Sequence, residues 1–316
     1  MIHRSNSPQG FAEQAGLIPG MPRQQALHAA ARRLQETLGL TFDEAVRDAR
    51  LLLLDVLDIS HAALIAEGDV PISQAEWRQF ATHLSRRARH EPVSRILGTR
   101  HFFGRPFLIT PAVLDPRPET EHLVETALAA HALLPEPLRE APRILDIGAG
   151  SGAIIVSLLA ELQRAKGLAL DISEAALAVT MRNACRHGVA GRLICRRSDW
   201  LSALKPDEHF SLIVSNPPYI AQEELDTLMP EVRHYDPRIA LDGGPGGLRA
   251  YHALTAAASH LAPGGFLIVE IGIGQERAGR AILERAGLKE HPRLPAVHAD
   301  YAGIPRVICL ARLTNE

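Results

Sequence analysis

Cysteine is scarce in this chain, and its scarcity is informative. Cys185, Cys195 and Cys309 are odd in number and far apart, with neither metal-type nor redox spacing. That excludes a disulfide framework and a clustered zinc site, and fits small apolar residues of a reduced, cytoplasmic protein. Charge of one sign is lacking too. A formal net charge of -2 over 316 residues argues against a protein held on nucleic acid by general phosphate attraction, although a local basic patch stays compatible with it. No apolar run approaches the roughly 20 residues of a membrane helix, and the N-terminus has no signal-peptide core. The fifteen histidines include no pair at the H-E-x-x-H spacing of a helical metal motif, so no metal is expected. With 46% hydrophobic residues, what remains is a globular protein with room for two domains.

Residues 1 to about 22, rich in Ser, Asn, Pro, Gly and Gln, read as a flexible extension. Helical periodicity then begins: Leu27, Ala31, Leu34 and Leu38 recur at three- and four-residue steps before a stop at Gly39. Thr41 with Glu44 and Ser73 with Glu76 are capping-box signals, each opening a helix with an apolar face. Residues 23–90 are therefore expected to form an all-helical domain. Its tail is basic, with Arg86, Arg87, Arg89, Arg95, Arg100 and Arg105 facing only Glu91. A solvated helix end and linker accounts for that run; a docking surface for an acidic or RNA-like partner is the alternative. Residues 91–118 read as a hinge with short strands, turning at Gly104-Arg105-Pro106.

From Arg143 onward strands and helices alternate. Strands are expected at 143–147, 167–171, 192–196, 210–215 and 266–271, with helices at 151–165, 173–187 and 248–261 between them. Such alternation gives an α/β, Rossmann-like parallel sheet covered on both faces. A helix near 275–286 and strand-like pieces near 294–298 and 306–312 then predict an antiparallel pair closing one sheet edge.

Chemistry gathers at the strand ends. Asp146-Ile-Gly148-Ala149-Gly150-Ser151-Gly152 lies between a strand and a helix, where alternate glycines permit a tight turn and close ligand approach. Asp171 ends the next strand, where an acid commonly holds ribose hydroxyls. The spacing is G-x-G-x-G rather than G-x-G-x-x-G, and Asp146 would repel a phosphate, so S-adenosyl-L-methionine is favoured over NAD. Asp199-Trp200 offers a carboxylate for an adenine amine and an aromatic wall; Trp200 could instead be a partly buried core residue, but its place at the carboxyl end of a strand favours the ligand. Asn216-Pro217-Pro218-Tyr219 follows an apolar strand. Two prolines remove two N–H donors, leaving the Asn216 side-chain oxygen and a backbone carbonyl to grip an incoming NH2 group, with Tyr219 as a flat surface. By itself that stretch is only a proline turn capped by Asn.

Taken together, these residues resemble the class I S-adenosylmethionine-dependent methyltransferases with an N/D-P-P-Y turn. From about residue 23 to the end the chain resembles the release factor glutamine methyltransferases (the PrmC/HemK family). The resemblance is carried by Glu91-Pro92-Val93, Arg117-Pro118-Glu119-Thr120-Glu121, Ile144 to Gly148, Asp199-Trp200 and Asn216 to Ile220. Ala240 to Gly244, Glu270-Ile271-Gly272 and Asp300 to Arg306 complete it. It implies a seven-stranded methyltransferase sheet at 119–316, behind a helical domain that helps hold the substrate. The implied reaction is N5-methylation of the glutamine in the Gly-Gly-Gln motif of class 1 peptide chain release factors. It implies cofactor contacts from Gly148 to Gly152, Asp171, Trp200 and Asn216, and a substrate grip from Asn216 to Tyr219. Arg117 and Glu119 are candidates for the substrate side. One departure stands out: the family often reads Gly-Gly-x-Asp-Gly-Leu where this chain has Gly243-Gly244-Pro245-Gly246-Gly247-Leu248. The resulting expectation is a monomeric cytoplasmic enzyme without stable nucleic-acid or membrane partners. A DNA adenine methyltransferase flipping its base into the same turn and a non-enzymatic adaptor are the alternatives.

Overall fold

The computed structural model describes residues 8–314, so part of the expected N-terminal extension, residues 1–7, lies outside them. The chain divides into two compact units, Met1–Gly98 and Thr99–Glu316.

The first unit is helical: α1 (Pro8–Gln14), α2 (Arg23–Leu38), α3 (Phe42–Leu57), α4 (His61–Ala66), α5 (Gln74–Arg87) and α6 (Val93–Leu97). Its local signals are obeyed. Gly39 closes α2 in the left-handed region at φ 68°, and Thr41–Glu44 and Ser73–Glu76 form full capping boxes on α3 and α5. Each such cap contributes about 1 kcal/mol. Two expectations are corrected. Residues 8–22 are not a loose extension: Ala12 and Leu17 are buried, and the Trp77 indole donates to the Leu17 carbonyl at 3.1 Å. A helix of about two turns is too short to show periodicity, and burial of Leu17 orders the segment. Much of the basic run is not a solvated tail. Arg86 forms a bidentate pair with Glu91 (2.8 and 2.6 Å), Arg87 is buried against Asp48 at 2.9 Å, and Arg95 is buried.

The second unit opens with a hairpin of β1 (Thr99–Phe102) and β2 (Arg105–Leu108). Its turn is Phe103-Gly104, both at positive φ (48° and 71°), the geometry that matches strand twist in a two-residue hairpin. The expected turn at Gly104-Arg105-Pro106 is thus displaced, and Arg105 and Pro106 lie in β2. The hairpin itself packs into the second unit. Phe102 and Phe107 are buried in the core of the second unit, and Asn183 holds Leu108 through both its backbone groups (2.8 and 3.1 Å). Arg105 pairs with Glu161 at 2.7 Å.

A 3-10 turn at Pro118–Thr120 leads into α7 (Glu121–His131) and α8 (Glu136–Glu140). Then follow β3 (Arg143–Ile147), α9 (Ala153–Glu161), β4 (Lys166–Asp171), α10 (Glu174–Arg186), β5 (Leu193–Arg197) and β6 (Phe210–Ser215). After α11 (Pro230–Tyr235), the expected single helix at 248–261 is two, α12 (Arg249–Leu254) and α13 (Ala257–His260). β7 (Leu261–Glu270), α14 (Glu276–Glu284), β8 (Val297–Ala299) and β9 (Pro305–Ala311) complete the unit. The seven strands run β5-β4-β3-β6-β7-β9-β8. The first five are parallel, and β9 and β8 add antiparallel pairings at one edge. This is the α/β, Rossmann-like parallel sheet that the alternation predicted, with the seven strands that the resemblance implied. Every residue of β6 is buried, as a central parallel strand covered on both faces requires. Strand order reverses between β3 and β6, so ligands are expected at the carboxyl ends of those strands.

Candidate active site

The switch point is held closed by a serine that sequence inspection passed over. The Ser215 hydroxyl donates to the Ile147 carbonyl at 2.7 Å, pinning the end of β6 beside the glycine loop after β3. Gly148, Gly150 and Gly152 all have positive φ (76°, 56° and 78°). α10 supports the loop from behind: Thr180 donates to the Gly150 carbonyl at 2.9 Å and Asn183 to that of Ser151 at 2.8 Å.

The loop's amides are largely spent on the protein itself. Gly148 and Ala149 donate to the Leu170 carbonyl, Gly152 to that of Ala149, and Gly150 to Asp171 Oδ2 at 2.9 Å. Asp171 Oδ1 takes the Ser173 amide at 2.8 Å. A phosphate cradle needs free N–H groups, and this loop withholds them while an acid lies underneath. Asp146 is fully buried, and among the described residues neither carboxylate oxygen has a partner in good hydrogen-bond geometry. Burial pushes its pKa up to about 7, the nearby Ile155 amide opposing and Asp171 adding repulsion. The donor set thus fits a cationic, ribose-bearing group better than a pyrophosphate.

A pH prediction follows for Asp146. Its native pKa lies above its ordinary value of 3.8, so the native state binds more protons than the unfolded chain between the two. Its contribution to stability therefore declines as pH rises through that window. Asp146→Asn is expected to gain stability relative to the unsubstituted protein between about pH 5 and about pH 8. Urea unfolding at both pH values measures this, and a difference independent of pH would show the carboxyl ionised throughout.

A cavity of about 410 Å³ opens over the loop. Gly148, Ala149, Gly150, Ser151, Asp171, Asp199, Trp200, Asn216, Pro217 and Pro218 line it, so most of the residues singled out by sequence converge. Trp200 is half-buried and sits at φ 50°, a left-handed backbone that costs a bulky residue about 1–2 kcal/mol. Its packing beside the sheet core helps offset that strain. Val113, Leu114 and Pro116 on one side and Pro237 and Ile239 on the other supply apolar walls. These carry no motif, and sequence reading missed them.

Five expected residues do not line the cavity. Asp146 lies beneath it. Gly152 instead makes room for α10, since a Cβ there would meet Thr180 Cγ2 at 2.8 Å. Tyr219 turns its hydroxyl to Glu270 at 3.3 Å instead of forming a wall of the cavity. Arg117 donates to Asp236 at 2.5 Å; the Asp236 side chain is only 1% exposed, and a carboxylate so buried needs a partner. The pair ties the segment before α7 to the one after α11. Glu119, half-buried, lies in the field of Arg306 and Glu270.

The proline turn is held on three sides. The Asn216 amide nitrogen donates to Thr120 Oγ1 at 3.1 Å. Gln275 Nε2 donates to the Tyr219 carbonyl at 2.9 Å, while its Oε1 accepts the Tyr251 hydroxyl at 2.7 Å. Gly243 donates to the Ile220 carbonyl at 2.8 Å, and Ile220 to that of Leu241 at 3.0 Å. The 243–248 loop is therefore the floor beneath the turn. Gly246, where the family often has Asp, sits at φ 64° with open space around it. Asp tolerates that conformation, so the departure changes charge and leaves the backbone path intact.

The methyltransferase hMettl16 has a similar fold in its solved catalytic domain (TM-score 0.51, 14% identity, 67% of this chain and 77% of that one). Residues 25–98 match the PrmC N-terminal domain, and residues 126–232 the methyltransferase small domain. The release factor glutamine methyltransferase of Cereibacter sphaeroides is 46% identical over 85% of this chain and 92% of its own length. Those of Bradyrhizobium diazoefficiens (44%; 92% and 96%) and Bordetella pertussis (44%; 82% and 92%) are comparably similar. With a methyltransferase sheet, a cavity suited to S-adenosyl-L-methionine and this similarity over nearly the whole chain, the protein belongs to the release factor glutamine methyltransferase family.

Proposed function

We propose that the protein transfers a methyl group from S-adenosyl-L-methionine to the side-chain nitrogen of the glutamine in the Gly-Gly-Gln motif of class 1 peptide chain release factors. The observation that carries this reading is the hydrogen bond from Asn216 Nδ2 to Thr120, which fixes the amide orientation and leaves Oδ1 without a protein partner among the described residues. Pro217 and Pro218 beside it have no N–H. A turn that offers carbonyl oxygens and lacks backbone N–H groups at two positions suits an incoming amide NH2, whose lone pair is delocalised and whose hydrogens must be held.

Bound S-adenosyl-L-methionine supplies an electrophilic sulfonium methyl. Asp171 would take its ribose hydroxyls, Asp199 with Trp200 its adenine, and the Gly148–Gly152 loop its cationic amino-acid part. Asn216 Oδ1 and the Pro217 carbonyl would accept the glutamine NH2 hydrogens and direct its lone pair. With the glutamine so held, the N–C bond would form as the S–C bond breaks, and the surplus proton would pass to water. Orientation and charge placement supply the acceleration, so no strong general base is required. The helical unit is assigned to release-factor recognition. We further propose that the enzyme acts as a cytoplasmic monomer, without a stable nucleic-acid partner; no helix of the described residues is long and apolar enough to cross a membrane.

The test is methyl transfer from radiolabelled S-adenosyl-L-methionine to purified release factor, to its Gly-Gly-Gln→Gly-Gly-Ala variant and to duplex DNA. Label on the intact factor and absent from the variant supports the reading. Label on DNA would move the activity to adenine bases, and binding without transfer would make the protein an adaptor.

A further inference from the structure

Glu270 ends β7 directly behind the proline turn, and the mechanism above does not use it. It is 2% exposed. Its Oε1 accepts the Tyr219 hydroxyl at 3.3 Å, whereas Oε2 is buried and makes no hydrogen bond among the described residues. The Thr120 hydroxyl also acts on this carboxyl. Thr120 Oγ1 is the atom that receives the Asn216 amide nitrogen at 3.1 Å. One acidic side chain therefore touches Tyr219 directly and acts electrostatically on the Thr120 hydroxyl that holds the Asn216 amide.

The consequence depends on hydrogen-bond polarity. An ionised carboxylate only accepts. The Thr120 hydroxyl then gives its proton toward Glu270 and keeps its lone pairs for the Asn216 NH2, so Asn216 Oδ1 is left for substrate. A protonated Glu270 becomes a donor to Thr120 and frees the hydroxyl to donate to Asn216. The amide can then reverse and present NH2 toward an incoming NH2, two donors face to face.

We propose that Glu270 is a positioning residue of the methyl-transfer site: its carboxylate, through Thr120 and Tyr219, sets the Asn216 amide so that its oxygen meets the substrate. This deepens the glutamine-methylation reading and rests on it. Burial pushes the Glu270 pKa up to about 7, the Thr120 and Tyr219 hydroxyls and Arg306 pulling it down and Glu119 pushing it up. The other titratable or charged groups around it are Tyr251 on α12, Arg117 beside Tyr219, and Asp300, which pairs with Arg306 at 2.8 Å. The Asn216 amide is thus set only on the alkaline side of a transition near neutrality, and turnover rises with pH through it.

The experiment compares the wild-type enzyme with Glu270→Gln, Thr120→Val and Thr120→Ser on purified release factor. It reads kcat, KM, cofactor affinity, melting temperature and the pH profile of kcat. Glu270→Gln is expected to lower kcat by about ten- to a hundredfold, keep cofactor affinity and melting temperature, and lose the acidic limb of the profile. Thr120→Val should behave alike, and Thr120→Ser should restore the rate. A Glu270→Gln enzyme with unchanged kcat, or with the acidic limb retained, overturns the proposal. So does loss of rate in step with cofactor affinity and melting temperature, which would mark a structural role. Wild-type enzyme that left the glutamine unmethylated would instead overturn the functional reading and the proposal with it.

Discussion

Asn216→Ala is expected to lower turnover by about a hundred- to a thousandfold, the cost of removing one preorganised polar group from a reacting centre. Cofactor affinity should fall only about three- to tenfold. The difference follows from the architecture. Asn216 follows β6, whereas the glycine loop follows β3 and is braced by Thr180 and Asn183 on α10. Removing the amide takes away an acceptor for the substrate hydrogens and one cavity wall, and leaves the loop and Asp171 in place. Single-turnover rates with saturating release factor and calorimetric titration of cofactor separate the two quantities. Near-normal turnover would show that the glutamine is held elsewhere.

The second large effect belongs to a residue without a functional group. A Cβ at Gly247 would lie 2.3 Å from the Tyr219 carbonyl oxygen and 2.6 Å from Gln275 Nε2, at a φ of +72°. Neither neighbour can yield cheaply, since the two are hydrogen-bonded to each other at 2.9 Å. Gly247→Ala must break that bond and push the Tyr219 carbonyl, and with it the proline turn. Displacing the turn by about 1 Å is expected to cost about a hundredfold in turnover. Strain and the lost bond should cost about 2–4 kcal/mol of stability. Gly246→Asp is the matched control, with a left-handed φ but open space. It should stay within about 0.5 kcal/mol and near the normal rate. Thermal melts and initial rates on both variants decide; a fully active Gly247→Ala would mean that the loop does not fix the turn.

Legibility in the sequence tracked how local each cause was. The caps of α2, α3 and α5 could be read because a helix end is satisfied within three residues of itself. The antiparallel edge was legible because two strand-like pieces met without a helix between them. What misled were segments whose state depends on distant partners. Residues 8–22 looked loose until Leu17 met Trp77. The arginines from Arg86 to Arg105 looked unpaired because Asp48 and Glu161 lie far away in the chain.

The candidate site divides on the same line. The chain by itself determined the alternating α/β order, the glycine turn with its acids, and a proline turn whose missing donors follow from covalent chemistry. Those are properties of residue type and short spacing. Only the tertiary structure decided that Ser215 clamps two strand ends, and that Arg117 serves Asp236. It alone decided that Gly247 leaves room for the Tyr219 carbonyl, and that Glu270 and Thr120 stand behind Asn216. Each of those facts is a contact between residues far apart in the chain. Such contacts depend on strand register and close packing, which no local pattern encodes.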